Sequence, residues 1–376
     1  MSNTEVETAR ESSCDHEPIS VCVVLAAANE LSIPLEVASN VSVDDIDVTV
    51  LSLFEPGDAT FGVDVSSLSV ESQYDPRAYA RLFRFLRQRQ FDVVHVHANF
   101  SGAITRILAQ FTGDALLVTT EHNSHQHFGR TKNLINGVTN TLNDAIVLNS
   151  ECTEESLHQW EKFLLSAFDI DTGVIHNGVN VDRIRNPSDT LPVDLPDHFL
   201  IGHCGRMCYQ KNQPALINAT APLIQEHGDV SLVLTGDGPT RAKLETLCRE
   251  HGIRDDTYFL GYLPRRDQIY ELFKHLNVFV FPSRFEGFGV AAAEAMTAGV
   301  PVVANNLPVL REVLGDAALY VDATDTDRLS ETVDSVYEDD QVAEELSEAG
   351  RSRGETQFSI SNTVSEYVDL YRRLTE

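Results

Sequence analysis

The chain has 376 residues, 42% of them hydrophobic, which suits two domains with separate cores better than one. Asp and Glu outnumber Lys and Arg 57 to 28, a formal charge of −29, and only Lys132, Lys162, Lys211, Lys243 and Lys274 are lysines. This balance disfavours nucleic acid as a partner, which would need a basic stripe, and it fits a cytoplasm of very high salt, where large net charge is an adaptation.

Met1 to Glu17 is polar and acidic, with no positive start and no apolar core. It predicts a disordered lead-in (1–18) rather than a signal peptide. Apolar, β-branched runs then predict strands at Ile19–Leu25, Val48–Leu53, Val93–Val96, Leu116–Thr120 and Ala145–Leu148, with helices between them such as 77–89 and 151–168. A short run at Gly173–Ile175 ends this set. Residues 186–198, with three Pro and three Asp and no helical period, read as a linker. Strands recur at Phe199–His203, Val230–Leu234, Thr257–Leu260, Val278–Phe281 and Pro301–Ala304. Helices at about 213–227, 240–251, 265–275 and 290–298 separate them. A last helix covers about 360–374. Such alternation predicts an α/β protein of two doubly wound, Rossmann-like domains, 19–185 and 199–356, followed by a closing segment, 357–376. Ligands of such sheets bind beyond the carboxyl ends of the strands, so two of them face to face make a cleft. No apolar run is long enough to cross a bilayer. The six cysteines are scattered without a CxxC pair and read as buried thiols of a cytosolic protein.

Four segments carry candidate chemistry. In FPSRFEGFGVAAAEAMTA, Phe281–Ala298, a strand runs into a loop holding Glu286, Gly287, Phe288 and Gly289, then into a helix holding Glu294. The glycines permit a sharp turn and close approach of backbone N–H groups. A helix start at that point favours phosphate, and carboxylates accept hydrogen bonds from sugar and ribose hydroxyls. In IGHCGRMCYQKN, Ile201–Asn212, Arg206 and Lys211 follow a strand and precede a helix. Either cation suits a diphosphate. GDGP at Gly236–Pro239 marks a tight turn at the next strand end, with Gly238 inside it. His95 and His97 share a strand, and His122, His125 and His127 follow another. The HxH spacing lacks a third ligand nearby, so no metal centre is expected, and His122 belongs at the cleft mouth as a neutral imidazole. No GxGxxG follows the first strand, which argues against a nicotinamide enzyme.

Arg206–Lys211, GDGP, EGFGVAAAEAMTAGVPVVA and VIHNGVN at Val174–Asn180 together resemble the signature of the retaining GT-B glycosyltransferases of family four. The closing FSISNTVSEYVDLYRRL resembles the helix that crosses back onto the first domain of that family. The resemblance implies a nucleotide-diphosphate sugar donor, UDP- or GDP-linked, and transfer to a glycan or lipid-linked acceptor, with no cofactor and no metal. It implies that Glu286 and His122 lie at the donor sugar and Glu294 at the ribose. Arg206 and Lys211 would hold the diphosphate. The backbone of Gly287–Gly289 would lie along the sugar and phosphate, and Leu263, beside Tyr262, in the base pocket. The DTD at Asp325–Asp327 then reads as surface. Ala26–Ala28 and Asn29 stand where many members carry a glycine-rich loop. A nucleotide-sugar 2-epimerase of the same shape is the alternative activity. The arginines of 77–89 read as the polar face of an ordinary amphipathic helix or as a peripheral contact with anionic lipid at the inner face of the membrane.

Overall fold

The apolar runs become strands of two parallel sheets in a computed structural model, which describes residues 17–376 apart from 42, 57–61, 73, 98–99 and 128. The lead-in up to residue 16, with Cys14, lies outside the described residues. The first sheet contains β1 (Ile19–Leu25), β2 (Ile46–Ser52), β3 (Asp64–Ser67), β4 (Val93–Val96), β5 (Leu116–Glu121), β6 (Ala145–Leu148) and β7 (Asp171–Val174). Its order is β3-β2-β1-β4-β5-β6-β7. The second contains β8 (Phe199–Cys204), β9 (Val230–Thr235), β10 (Thr257–Gly261), β11 (Val278–Phe281), β12 (Val302–Asn305) and β13 (Ala318–Val321), in the order β10-β9-β8-β11-β12-β13. In each sheet the order reverses beside the first strand of the set, which opens a crevice at the strands' carboxyl ends.

The strands read as unbroken apolar runs because helices cover both faces. Along β1, Val21 and Val23 enter one core with Val50 and Val93, while Cys22 and Val24 enter another with Leu51 and Val94. The second sheet is sandwiched in the same way, with Phe279 and Phe281 on one face and Val278 and Val280 on the other. This is the expected α/β architecture of two doubly wound sheets. Edge strand β3, DVSS, has too little apolar character to read as a strand. The expected helix 151–168 is two helices, Glu151–Glu155 and Gln159–Ala167. The second begins where the Glu161 carboxylate accepts from the His158 backbone N–H at 2.8 Å.

The chain passes between the two bodies twice, side by side. Val179 and Ser359 form a parallel bridge, with Val179 N–H donating to the Phe358 carbonyl at 2.7 Å and Ile360 N–H to the Val179 carbonyl at 2.8 Å. Ile184, in the short helix Val181–Arg185, already belongs to the second body's core; residues 186–198 carry neither helix nor strand. After the second passage, helix Ile360–Thr375 buries Val364, Val368 and Leu370 against the first sheet, in one core with Val21 and Val93. In helix Pro76–Arg89, Asp75 caps the first turn and Ala78, Leu82 and Leu86 face the core. Its arginines point outward. Among the described residues no helix is long and apolar enough to cross a membrane.

Candidate active site

The carboxyl ends of both sheets face a cleft of about 490 Å³. The second body supplies Lys211, Glu286, Gly287, Phe288, Gly289, Arg266 and Glu294 to its lining, and the first supplies Leu25, Ala26, Ala27, His97 and His122.

The loop after β11 makes one wall. Gly289 takes the left-handed conformation (φ 94°) that a β-carbon disfavours, and it starts helix Val290–Ala298. That helix presents its N-terminal end at the cleft, where Gly289, Val290 and Ala291 are lining residues. Glu286 and Lys211, from loops that follow adjacent strands, form an ion pair at 2.6 Å, both largely buried. The Lys211 ammonium also lies 4.6 Å from the centre of the Phe281 ring. Arg206, expected beside Lys211, is exposed and is not part of the lining. Gly238 is not part of it either. It lies under the Arg206 loop, where a β-carbon would come within 2.4 Å of the Met207 carbonyl oxygen.

Glu294 is 4% exposed and is held by partners not evident in the sequence. Arg266 bonds its Oε1, and the Tyr270 hydroxyl donates to the same oxygen at 3.0 Å. Burial raises the Glu294 carboxyl pKa, and the adjacent Arg266 guanidinium opposes the rise. Arg266 also reaches the first body. Its Nε donates to the Glu30 carbonyl at 3.1 Å and lies 3.9 Å from the Glu36 carboxylate. Glu36 in turn accepts from Arg183 at 3.1 Å and from Asn180 at 2.9 Å, and Arg183 bonds Asp267. A charged network therefore runs from the Glu294 carboxylate across the boundary between the bodies. A signal for Arg266 exists in the sequence: it follows β10 closely in a chain short of cations.

Leu263, 3% exposed, packs its side chain in the second body's core, whereas neighbouring Tyr262 is exposed.

The opposite wall is built on histidines. His122 follows β5, and its Nε2 lies 3.0 Å from Nδ1 of His97, which follows β4. The His97 ring lies against that of His95, with centres 4.0 Å apart, and His95 is fixed by the Tyr371 hydroxyl at 2.6 Å and the Thr120 hydroxyl at 2.8 Å. Burial depresses all three imidazoles, His122 to about 4 and His95 to about 3, so the stack is neutral near pH 7. His125 turns away from the cleft. It is buried between the carboxylates of Glu121, at 3.6 Å, and Glu161, at 2.9 Å. Burial alone would lower its pKa, but the two carboxylates outweigh that and raise it to about 9. The side chain of His127 falls outside the described residues. Among the described residues no group of three or more His, Cys, Asp or Glu is arranged to hold a metal ion.

The walls touch at Gly287. A β-carbon there would stand 2.0 Å from the His122 carbonyl oxygen. The Gly287 carbonyl accepts from the Ser150 hydroxyl at 2.9 Å and from that of Thr153 at 3.2 Å. This glycine is needed for interdomain approach, a reason that the turn motif does not reveal. A second clasp is Glu312, whose carboxylate accepts from the Glu151 and Cys152 N–H groups at 2.7 and 3.0 Å and lies 2.8 Å from His176 Nε2.

Known proteins match along both halves. The family described as Glycosyltransferase Family 4 matches residues 35–183, and Glycosyl transferases group 1 matches 194–353. An uncharacterised glycosyltransferase of Methanocaldococcus jannaschii is 33% identical over 47% of this chain and 45% of its own length. The O-antigen chain mannosyltransferase B of Escherichia coli is 34% identical over 50% of this chain and 51% of its own. The chain thus spans about half the length of these curated relatives. The crystal structure of Anabaena HepE in complex with UDP-glucose superposes with a TM-score of 0.76 at 19% identity, covering 94% of this chain and 99% of that one; at this identity the likeness is one of fold.

Proposed function

Because the chain belongs to the GT-B glycosyltransferases of family four, we propose that it transfers a sugar from a nucleotide-diphosphate donor, UDP- or GDP-linked, to an acceptor hydroxyl with retention at the anomeric carbon. The observation that carries this reading is the charged wall of the cleft, where Lys211, Glu286, Glu294 and the start of helix Val290–Ala298 line one cavity opposite neutral His122. HepE, of the same fold, holds UDP-glucose, which supports a nucleotide-sugar donor.

In this reading the second body holds the donor and the first body receives the acceptor. Glu294, steadied by Arg266 and Tyr270, accepts from the ribose hydroxyls. The diphosphate lies along the backbone of Gly287–Gly289 at the helix start, with Lys211 and Arg206 as its countercharges. A cation within ~4 Å of a phosphate charge in a partly desolvated site contributes about 4 kcal/mol before desolvation. Glu286 holds Lys211 in place and accepts from a donor-sugar hydroxyl, while His122 contacts the sugar from the other wall. The acceptor oxygen bonds to the anomeric carbon on the face that the diphosphate leaves. Its proton passes to the departing phosphate oxygen, so no base on the opposite face is required. Gly238 acts indirectly, through the loop carrying Arg206 and Lys211.

The test is incubation with UDP- and GDP-sugars, with and without an acceptor mixture, followed by NMR of the sugar. Acceptor-dependent release of nucleoside diphosphate with an unchanged anomeric configuration is the expected result. Conversion of a nucleotide sugar to its C2 epimer without any acceptor would replace this reading with an isomerase.

A further inference from the structure

The first body carries an apolar face that remains exposed among the described residues. Helix Arg130–Thr139 exposes Leu134, Ile135 and Val138. The adjacent helix Gln159–Ala167 exposes Trp160 and Phe163, and Phe111 stands out at 71% just after helix Phe100–Ala109. The residues of the two helices form one patch. Leu134 and Val138 are one helical turn apart, as are Trp160 and Phe163. The Trp160 ring lies across the neighbouring helix at Gly137, where a β-carbon would come within 2.3 Å of it.

Charge at this face departs from the rest of the chain. Formal charge overall is −29, yet no Asp or Glu occurs between Glu121 and Asp144. Arg130 and Lys132 are exposed within that stretch, and exposed Lys162 lies between Trp160 and Phe163. Glu161, the one acid in helix Gln159–Ala167, is turned inward onto His125. An anionic surface would be repelled by most of the molecule and accepted here. Aromatic and aliphatic side chains ringed by cations are the composition of a face that lies in a lipid interface. The face is also tied to the cleft. Asn136 of helix Arg130–Thr139 donates to the Glu121 carboxylate at 2.5 Å, and Glu121 immediately precedes His122. By contrast, helix Pro76–Arg89 leaves no large apolar side chain fully exposed: Leu82 and Leu86 are buried in the core, and Phe83 and Phe85 are half-buried, with Arg89 over the Phe85 ring.

We propose that this face docks on an anionic lipid bilayer, with Leu134, Val138, Trp160 and Phe163 entering the headgroup layer and Arg130, Lys132 and Lys162 at the lipid phosphates. The proposal deepens the transfer reading by assigning the acceptor to the bilayer surface, and it rests on that reading for the acceptor alone. At molar salt the Debye length shrinks to about 3 Å, so the cations then act only in contact while apolar insertion persists.

Trp160 is the only tryptophan in the chain, so its fluorescence reports on this face directly. With phosphatidylglycerol vesicles its emission should shift to the blue and be quenched by bromine on the acyl chains. Phosphatidylcholine vesicles should give a weaker response. The double variant Leu134→Ser/Phe163→Ser should bind phosphatidylglycerol vesicles at least about tenfold more weakly. Lys211→Ala, altered only in the cleft, should bind them as wild type does, which separates failure of docking from failure of transfer. No shift with phosphatidylglycerol at dilute or molar KCl would overturn the proposal. So would a shift that follows protein concentration without lipid, which would make a second copy the occupant. Equal binding to both lipids would overturn the anionic assignment.

Discussion

The two walls of the cleft are built on different principles. The second body's wall is charged: Lys211, Glu286 and Glu294 sit on two strand–loop–helix segments that follow the neighbouring strands β8 and β11. The first body's wall carries no charged side chain: Leu25 to Ala27 at the end of β1, His97 after β4, and His122 and Asn123 after β5 line it, with its histidines held neutral by burial. A fixed dianion needs fixed charge, whereas a wall of small apolar side chains and neutral imidazoles puts little electrostatic demand on what it meets. On the proposed reading, the charged wall meets the donor and the uncharged wall meets the acceptor.

The largest effect should come from cutting the network between the walls. Arg266 is 3% exposed and is the cation beside buried Glu294. Arg266→Met leaves that carboxylate without a countercharge and should cost about 3–5 kcal/mol of stability, measured by urea unfolding near pH 7. A loss below ~1 kcal/mol would show that Glu294 does not depend on it.

A second effect lies behind the histidine wall and has a defined sign. The folded-state pKa of His125, about 9, lies above its ordinary value of 6.5, because Glu121 and Glu161 face it, with Arg106 beyond Glu121. A raised pKa gives stability that is complete below about pH 6.5 and lost as pH rises through about 9. The shift is worth of the order of 3 kcal/mol. Unfolding free energy should therefore fall between pH 6.5 and 9.5, and His125→Gln should be less stable at pH 6.5 with that slope removed. An unchanged slope in the variant would assign it to other groups.

The contact between the walls offers a smaller, more local effect. In Gly287→Ala the new β-carbon meets the His122 carbonyl, so the walls must separate. Turnover should fall about tenfold or more, since transfer needs both walls in register. Nucleoside diphosphate binding to the second body should change little. Equal loss of binding and turnover would place the effect within the donor loop instead.

The strand–helix alternation, the glycine turn and both glutamates were legible in the sequence because each depends on neighbours within about twenty residues. Arg183, Glu36 and Glu312 were not, because each has a partner on the other body and only tertiary contact pairs them; Arg266 left a signal in its place soon after a strand, but not its pairing with Glu294. The side-chain direction of Leu263 was not legible for a related reason: position just past a strand says little about which way a side chain turns, and this one turns into the core. The DVSS edge strand lacks the apolar run that reveals inner strands.

The smallest effect concerns the acidic surface. At ~0.1 M salt the Debye length is about 10 Å and carboxylates repel across the surface; at ~1 M it is about 3 Å. We expect the melting temperature to rise by several degrees between dilute and molar KCl, while affinity for nucleoside diphosphate changes little, because Lys211 acts in contact. A flat or falling melting temperature would show that the charge of −29 is no adaptation to salt.

The central claim is that the charged wall stabilises a departing diphosphate. It is tested most directly by the rate of donor cleavage at saturating nucleotide sugar in wild type, Lys211→Ala and Arg206→Ala. Loss of Lys211, the fixed countercharge of that wall, should lower the rate on the order of 10²-fold or more, and loss of exposed Arg206 should lower it less. Rates equal to wild type in both variants would contradict the account.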